Sequence, residues 1–177
     1  MTLAAACGRS HFEARDDAPG VELQDAEIAV DAQLSSDAPQ LVLDAGECPT
    51  AYTRVGTSCY RFSGGQVPTW LDGELACEAD GVGAHMVTVD DVNEGNLLKT
   101  TFAINDYWSG MSDRVTEGQY RNVTGELAPY LVWVPGEPTS SDCAQFDDAG
   151  LFHVSTCDTS DEYLCEFDGR PAAAGAY

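Results

Sequence analysis

The sequence predicts an α+β domain: two short helices, then a strand-rich half with mixed antiparallel strands and one long irregular loop, the whole stapled by disulfides. Three observations predict it. Helix-capping signatures fall at Thr69 and Asp91, short strand-like runs dominate after Asn105, and six of the seven cysteines lie between residues 48 and 165. Helices and strands segregated along the chain read as α+β rather than as an alternating parallel sheet.

The elements follow in order. The run AYTRVGTSCYRFS alternates around Tyr52, Val55, Tyr60 and Phe62 with Gly56 at its centre, which reads as a hairpin. Pro68 precedes Thr69, an N-cap with Asp72 three residues later, so a first helix runs toward Gly81 with Leu71 and Leu75 one turn apart. Asp91 and Glu94 repeat the capping spacing and open a second helix with Leu97, Leu98 and Phe102 as its apolar face, although Gly95 costs it ~1 kcal/mol. Between the helices, His85 precedes Met86 and Val87 and reads as a packed strand residue rather than a ligand. Beyond Asn105, strands are expected at YWSGM, QYRNV, CAQF, LFHVS and EYLCEF. The stretch from Gly125 to Ala144 holds Pro129, Pro135, Gly136 and Pro138 and little strand character, so it forms a long loop of the kind that carries function.

A chain of 177 residues has room for one ordinary domain plus a tail, and its 44% hydrophobic content suffices for a core. The net charge of −22 repels nucleic acid and anionic lipid headgroups, which sets both aside as partners. No stretch approaches the ~18 apolar residues of a membrane-spanning helix. Seven cysteines without Cys-x-x-Cys pairs point to an oxidising compartment rather than to zinc. The six from Cys48 to Cys165 form an even set, and six cysteines allow 15 pairings, among which spacing alone does not choose.

Residues 8–47 carry ten acidic residues against two Arg, a single aromatic in Phe12, and no sustained period. They are expected to form an acidic, self-repelling, disordered linker that spans roughly 35 Å or more as a coil. Ahead of it, MTLAAAC sets small residues before Cys7 and resembles the end of a bacterial lipoprotein signal peptide, in which the cysteine is lipidated. Residues 1–7 then read as the remnant of a longer signal. The competing reading is an unpaired thiol in a disordered terminus. A tether followed by a cystine-stapled domain is a display architecture, so the expected location is extracytoplasmic: a bacterial cell surface or outer membrane lipoprotein, or a secreted protein. Membrane contact is expected only through a lipid at Cys7.

From Cys48 to Phe167 the motifs together resemble the C-type lectin-like domain in its long form. HMVTVDDVNEGNLL at 85–98 looks like the family's second-helix entry and YWSGMSD at 107–113 takes the place of its Trp-Ile-Gly-Leu segment. EGQY at 117–120 follows, Trp133 precedes Glu137-Pro138 with the family's spacing, and DCAQF, STC and EYLCEF match its last three core strands. The resemblance implies a domain over 48–168, a flexible tail over 169–177, and the disulfides Cys48–Cys59, Cys77–Cys165 and Cys143–Cys157. It also implies a non-catalytic lectin-like module whose long loop recognises a carbohydrate or a surface protein.

Calcium-dependent members of the family hold an ion with a Glu-Pro-Asn triplet, a Glu two residues before the next cysteine, and an Asn-Asp pair after Trp. Here those places read Glu137-Pro138-Thr139, Ser141 and Phe152-His153-Val154, so Glu137 alone is retained. Calcium takes six to eight hard oxygens, which one carboxylate and two hydroxyls do not supply, and the His153 nitrogen suits softer metals. No cofactor is therefore required, and the primary calcium site reads as degraded. Ligand contacts are expected from Glu137, Thr139, Ser141, Asp142 and His153, with Tyr130 as a stacking residue. Asp113, Glu117 and Asp142 match a second, accessory calcium position of millimolar strength, although Asp113 and Glu117 read equally well as turn caps. Calcium-dependent binding through that or a rearranged site is the alternative. Trp70, Trp108 and Trp133 read as core. Asn122-Val123-Thr124 fits a glycosylation acceptor, coincidentally so in a bacterial protein. For an enzyme there is no Ser-His-Asp order, no recognisable carboxylate pair, and no free thiol once the six cysteines pair.

Overall fold

The computed structural model describes residues 47–103 and 105–177. The expectations for Cys7, for the signal remnant and, apart from Glu47, for the acidic linker lie outside the described residues. Strands β1 (Thr53–Val55) and β2 (Ser58–Phe62) form the expected hairpin. Gly56 turns it at a φ of +61°, in the left-handed region where a side chain is disfavoured.

Helix α1 (Trp70–Glu78) starts where the cap is: Thr69 is extended and its Oγ1 accepts from the Asp72 amide at 3.1 Å. Its orientation differs from the expectation built on Leu71 and Leu75, which are 38% and 51% exposed. The buried face is Trp70, Gly73, Glu74 and Cys77. Two ties fix that rotation, the Cys77–Cys165 disulfide and the Trp70 indole N–H donating to the Ser109 carbonyl at 2.7 Å. Strand β3 (Ala84–Met86) follows, fully buried, with His85 packed inside as expected.

Helix α2 (Val92–Phe102) is capped by Asp91, whose Oδ1 accepts from Asn93 and Glu94 at 2.7 and 3.0 Å. Glu94 reaches back one residue past the cap, to the Asp90 amide at 2.6 Å. Gly95 explains its own cost: a Cβ there would stand 3.2 Å from Phe146 Cζ, so the bare backbone lets the helix settle on the core.

Five strands complete the fold, β4 (Asp106–Ser112), β5 (Arg121–Asn122), β6 (Cys143–Asp147), β7 (Phe152–Ser155) and β8 (Leu164–Phe167). They sort into two antiparallel sheets, β1-β2-β8-β3 and β5-β4-β6-β7. One core cluster gathers Tyr60, Leu98, Tyr107, Phe146 and Phe152, and a second gathers Trp70, Met86, Trp108, Val123 and the Cys77–Cys165 bridge. Trp70 and Trp108 are fully buried, as read from sequence, whereas Trp133 is only partly buried against the first cluster. All three disulfides have the pairing that the resemblance implied.

β4 crosses the Met86–Val87 backbone through Gly110, whose N–H donates to the Val87 carbonyl at 2.7 Å and whose carbonyl accepts from Val123 at 2.8 Å. A Cβ on Gly110 would lie 2.5 Å from Met86 O and 2.9 Å from Val123 Cγ2, and neither can withdraw without opening the crossing. Gly110→Ala is therefore expected to cost about 3 kcal/mol, the upper end of ordinary overpacking. Urea unfolding measures it, and an unchanged midpoint would show that the two sheets separate freely at this point.

Residues 169–177, expected to form a flexible tail, are packed in place. The Ala173 amide donates to Val123 at 2.8 Å, Ala176 is buried, and the Tyr177 ring stands edge-on to Trp70 at 5.8 Å while its hydroxyl donates to Glu78. The aromatic end of the segment buries itself on the second core cluster, and small residues let its backbone lie close to Val123.

Candidate ligand-binding site

The long loop between β5 and β6 is tied to the second sheet by its backbone. Phe152 donates to the Val132 carbonyl and accepts from the Val134 amide, both at 2.8 Å, and Ala128 donates to Tyr120 at 3.1 Å. Apolar side chains explain the attachment. Trp133 packs edge-on to Phe152 and Tyr120, at centroid distances of 6.1 and 4.8 Å, and Tyr130 lies edge-on to Phe152 at 6.2 Å. Tyr130, expected as a free stacking platform, is thus half-buried with one edge committed to the core.

Glu137 follows in a turn closed by its own N–H on the Val134 carbonyl, with a cis peptide to Pro138. Its Oε2 accepts from the Thr139 amide at 2.8 Å, so the carboxylate folds back on its own loop. Ser141 and Asp142 serve through their backbones, the first accepting from the Tyr120 hydroxyl at 3.1 Å and the second from the Asp113 amide at 3.0 Å. In β7 the two-residue period puts Phe152 and Val154 inside and His153 on the other face. His153 pairs across the sheet with Gln145 and stands 3.9 Å from the Asp106 carboxylate, with Asp161 also within its field. Glu137 and His153, expected to act together, have different neighbours.

This donor set does not fit a calcium ion at the primary position. Glu137 is engaged by its own loop, and Val154 is 8% exposed and apolar. The accessory position is better preserved. Asp113 is buried, with Oδ2 accepting from the Gly118 amide at 2.7 Å and Oδ1 without a partner. Burial pushes the Tyr120 phenol above its ordinary pKa, and Asp113, Glu117 and Asp142 push it further, so all three predicted carboxylates lie within electrostatic range of one hydroxyl. Sequence reasoning passed over Tyr120, although it closes the EGQY motif. Among the described residues, the only three His or carboxylate ligand atoms within 4.8 Å of one another belong to His85, Glu166 and Asp168, so the accessory carboxylates are more widely spread. Asn122 is fully buried in β5, so its acceptor pattern is not presented at the surface.

Two antiparallel sheets, two capped helices, three cystines and a long loop laid over the second sheet define a disulfide-stapled binding module of the lectin type. The chain belongs to the C-type lectin domain family: residues 66–167 match the family model described as "Lectin C-type domain". It is 30% identical to echinoidin from Heliocidaris crassispina over 67% of this chain and 95% of that protein. It is 32% identical to CD209 antigen-like protein A from Mus musculus over 67% of this chain, spanning only about half, 51%, of that longer relative. Among solved structures it resembles the mouse scavenger receptor C-type lectin carbohydrate-recognition domain, with a TM-score of 0.62, 25% identity, and coverage of 72% of this chain and 98% of that one. Membership places the chain with non-catalytic carbohydrate-binding modules rather than with enzymes.

Proposed function

We propose that this chain recognises a carbohydrate or a surface protein through the long loop over residues 125–142 and the adjoining strands, without the primary calcium ion of its family. The observation that carries the reading is the Glu137 carboxylate, which is turned onto the Thr139 amide while another of the family's ligand positions is filled by buried Val154. Recognition then rests on loop hydroxyls and backbone, with Thr139 exposed and Ser141 half-exposed beside Asp142. The module acts outside the cytoplasm, at a bacterial surface through a lipid on Cys7 or as a secreted protein. Three formed cystines and the acidic, aromatic-poor stretch before Cys48 support that placement.

The deciding experiment presents the full chain to glycan and protein arrays in millimolar calcium and again in excess chelator. The same ligand is expected in both, and binding that disappears in chelator overturns the reading. Stability gives a second readout. An ion present at 100 times its dissociation constant would add ~2.7 kcal/mol, so melting temperatures in chelator and in calcium are expected to coincide.

A second reading is a calcium-dependent module that uses the accessory position. It is favoured by the buried Asp113 Oδ1, an oxygen without a hydrogen-bond partner that a hard cation would satisfy, with Glu117 and Asp142 acting on the same Tyr120 phenol as Asp113. Under this reading calcium raises the melting temperature, and Asp113→Asn abolishes the rise.

A further inference from the structure

The described region with the most buried charge lies outside the long loop, around His85. His85 is fully buried in β3, yet both ring nitrogens face groups that only accept. Nδ1 is 2.8 Å from the Met86 carbonyl oxygen and Nε2 is 3.2 Å from Asp168 Oδ1. A neutral imidazole has one N–H and would turn a lone pair on one of these oxygens, whereas an imidazolium satisfies both.

Charged and polar groups converge on this ring from every neighbouring element. Glu166 stands opposite His85 in the β3–β8 register, its Oε2 accepting from the Thr88 amide and hydroxyl at 3.2 and 3.3 Å and its Oε1 lying 3.3 Å from the Tyr60 hydroxyl. The same Tyr60 hydroxyl donates to Glu94 at the start of α2. Asp168 accepts from the Arg170 amide at 2.7 Å and from its guanidinium. Arg170 in turn reaches Thr88 Oγ1 at 3.0 Å, Asp90 at 3.1 Å and Glu126 at 3.5 Å. From α1, Glu74 lies in the field of His85. Two cations, His85 and Arg170, therefore offset six carboxylates.

We propose that His85 is a proton-operated lock: as an imidazolium it ties β3 to the Asp168–Arg170 turn and, through Glu166 and Tyr60, to the start of α2, and loss of its proton loosens both attachments. Burial by itself lowers the imidazole pKa, but the Asp168 hydrogen bond, the Glu166 charge and the Met86 carbonyl outweigh it and the net direction is upward. When the proton goes to solvent base, one ring nitrogen turns a lone pair on an oxygen it had been donating to, and one of the two cations is gone. The effect extends to α2, whose Gly95 lies against Phe146 and Tyr130. Any consequence for ligand binding through Tyr130 rests on the reading of the long loop given above.

Hydrogen exchange and ring nitrogen-15 spectra of the full chain test the lock without needing a ligand, so its failure is distinguishable from failure of the binding proposal. Both His85 nitrogens are expected to be protonated at pH 7. Protection of the Thr88 and Arg170 amides, corrected for intrinsic exchange, is expected to fall about tenfold per pH unit from 6.5 up to the folded pKa. The Gly110 amide, which serves the β4 crossing, should not follow that course. His85→Gln keeps a donor without the charge and is expected to flatten the dependence, separating it from the titrations of Glu94 and Glu166. A singly protonated ring at pH 7, wild-type protection that does not change with pH, or an unaltered dependence in His85→Gln each overturns the proposal. If that variant does not fold, the wild-type spectra and exchange still decide it.

Discussion

Replacing Cys77 and Cys165 together by alanine is expected to lower the unfolding free energy by about 4–5 kcal/mol, the chain-entropy value for a loop of this length. The bridge closes 88 residues, from α1 to β8, whereas Cys48–Cys59 closes 11 and is expected to contribute about 3 kcal/mol. Both sulfurs of the longer bridge are fully buried beside Trp70 and Trp108, so their loss also opens space in the second core cluster. A domain of ordinary stability, 5–15 kcal/mol, keeps little after such a loss. Denaturant unfolding of the double variant beside the Cys48→Ala, Cys59→Ala double variant gives the comparison. Equal losses would mean that loop length does not govern this fold.

Raising the pH from 5 to 8 is expected to lower the melting temperature by several degrees, the reverse of ordinary acid denaturation. Burial pushes Glu74 and Glu166 up to about 7 and moves Glu94 upward as well. Between about pH 4.5 and 7 the folded chain therefore binds more protons than the unfolded one, and stability falls as pH rises through that window. His85, raised above 6.5, adds in the same direction: its contribution is complete below 6.5 and lost as pH passes its folded value. Asp168 opposes them. Although burial would raise it, His85 and Arg170 hold it down at about 2, so its contribution is present above pH 3.8 and disappears as pH falls through 2. The stability maximum is expected near pH 4–5, on the sum of these signs. Calorimetry across pH 3–9 tests this, with Glu74→Gln as the probe. That variant keeps an acceptor for the Met86 amide and should shrink the loss at pH 8 while leaving pH 5 nearly unchanged. A wild-type melting temperature that rises from pH 5 to 8 would show that these carboxylates are satisfied in a way their surroundings do not suggest.

Local signals were legible in the chain wherever the physics is local. Thr69 and Asp91 cap the helices that their spacing implies, and Gly56 turns the hairpin that brackets it. The face that α1 buries was not legible, because Leu71 and Leu75 outrank Glu74 in any reading of hydropathy. The ties to Cys165, 88 residues away, and to the Ser109 carbonyl, 39 residues from Trp70, fix the rotation. The lock around His85 was hidden for the same reason, since Asp168 is 83 residues distant and no short motif joins them. At the candidate site, losses were easier to read than substitutes. Val154 visibly lacks a donor, but the turn of Glu137 onto Thr139 and the gathering of carboxylates around Tyr120 depend on backbone paths that composition does not encode.

The order of strands in the first sheet also governs when the domain can come into being. β8, the last of the described strands, lies between β2 and β3 and carries the cysteine that anchors α1. A growing chain that has reached the middle of the second sheet still lacks the partner of both flanking strands, so the first sheet cannot assemble piecemeal as residues emerge. Pairings of such long sequence separation form late and slowly. Until residue 167 is available the first sheet lacks the strand between β2 and β3 and α1 lacks its covalent anchor, so closure of the domain waits on the end of β8.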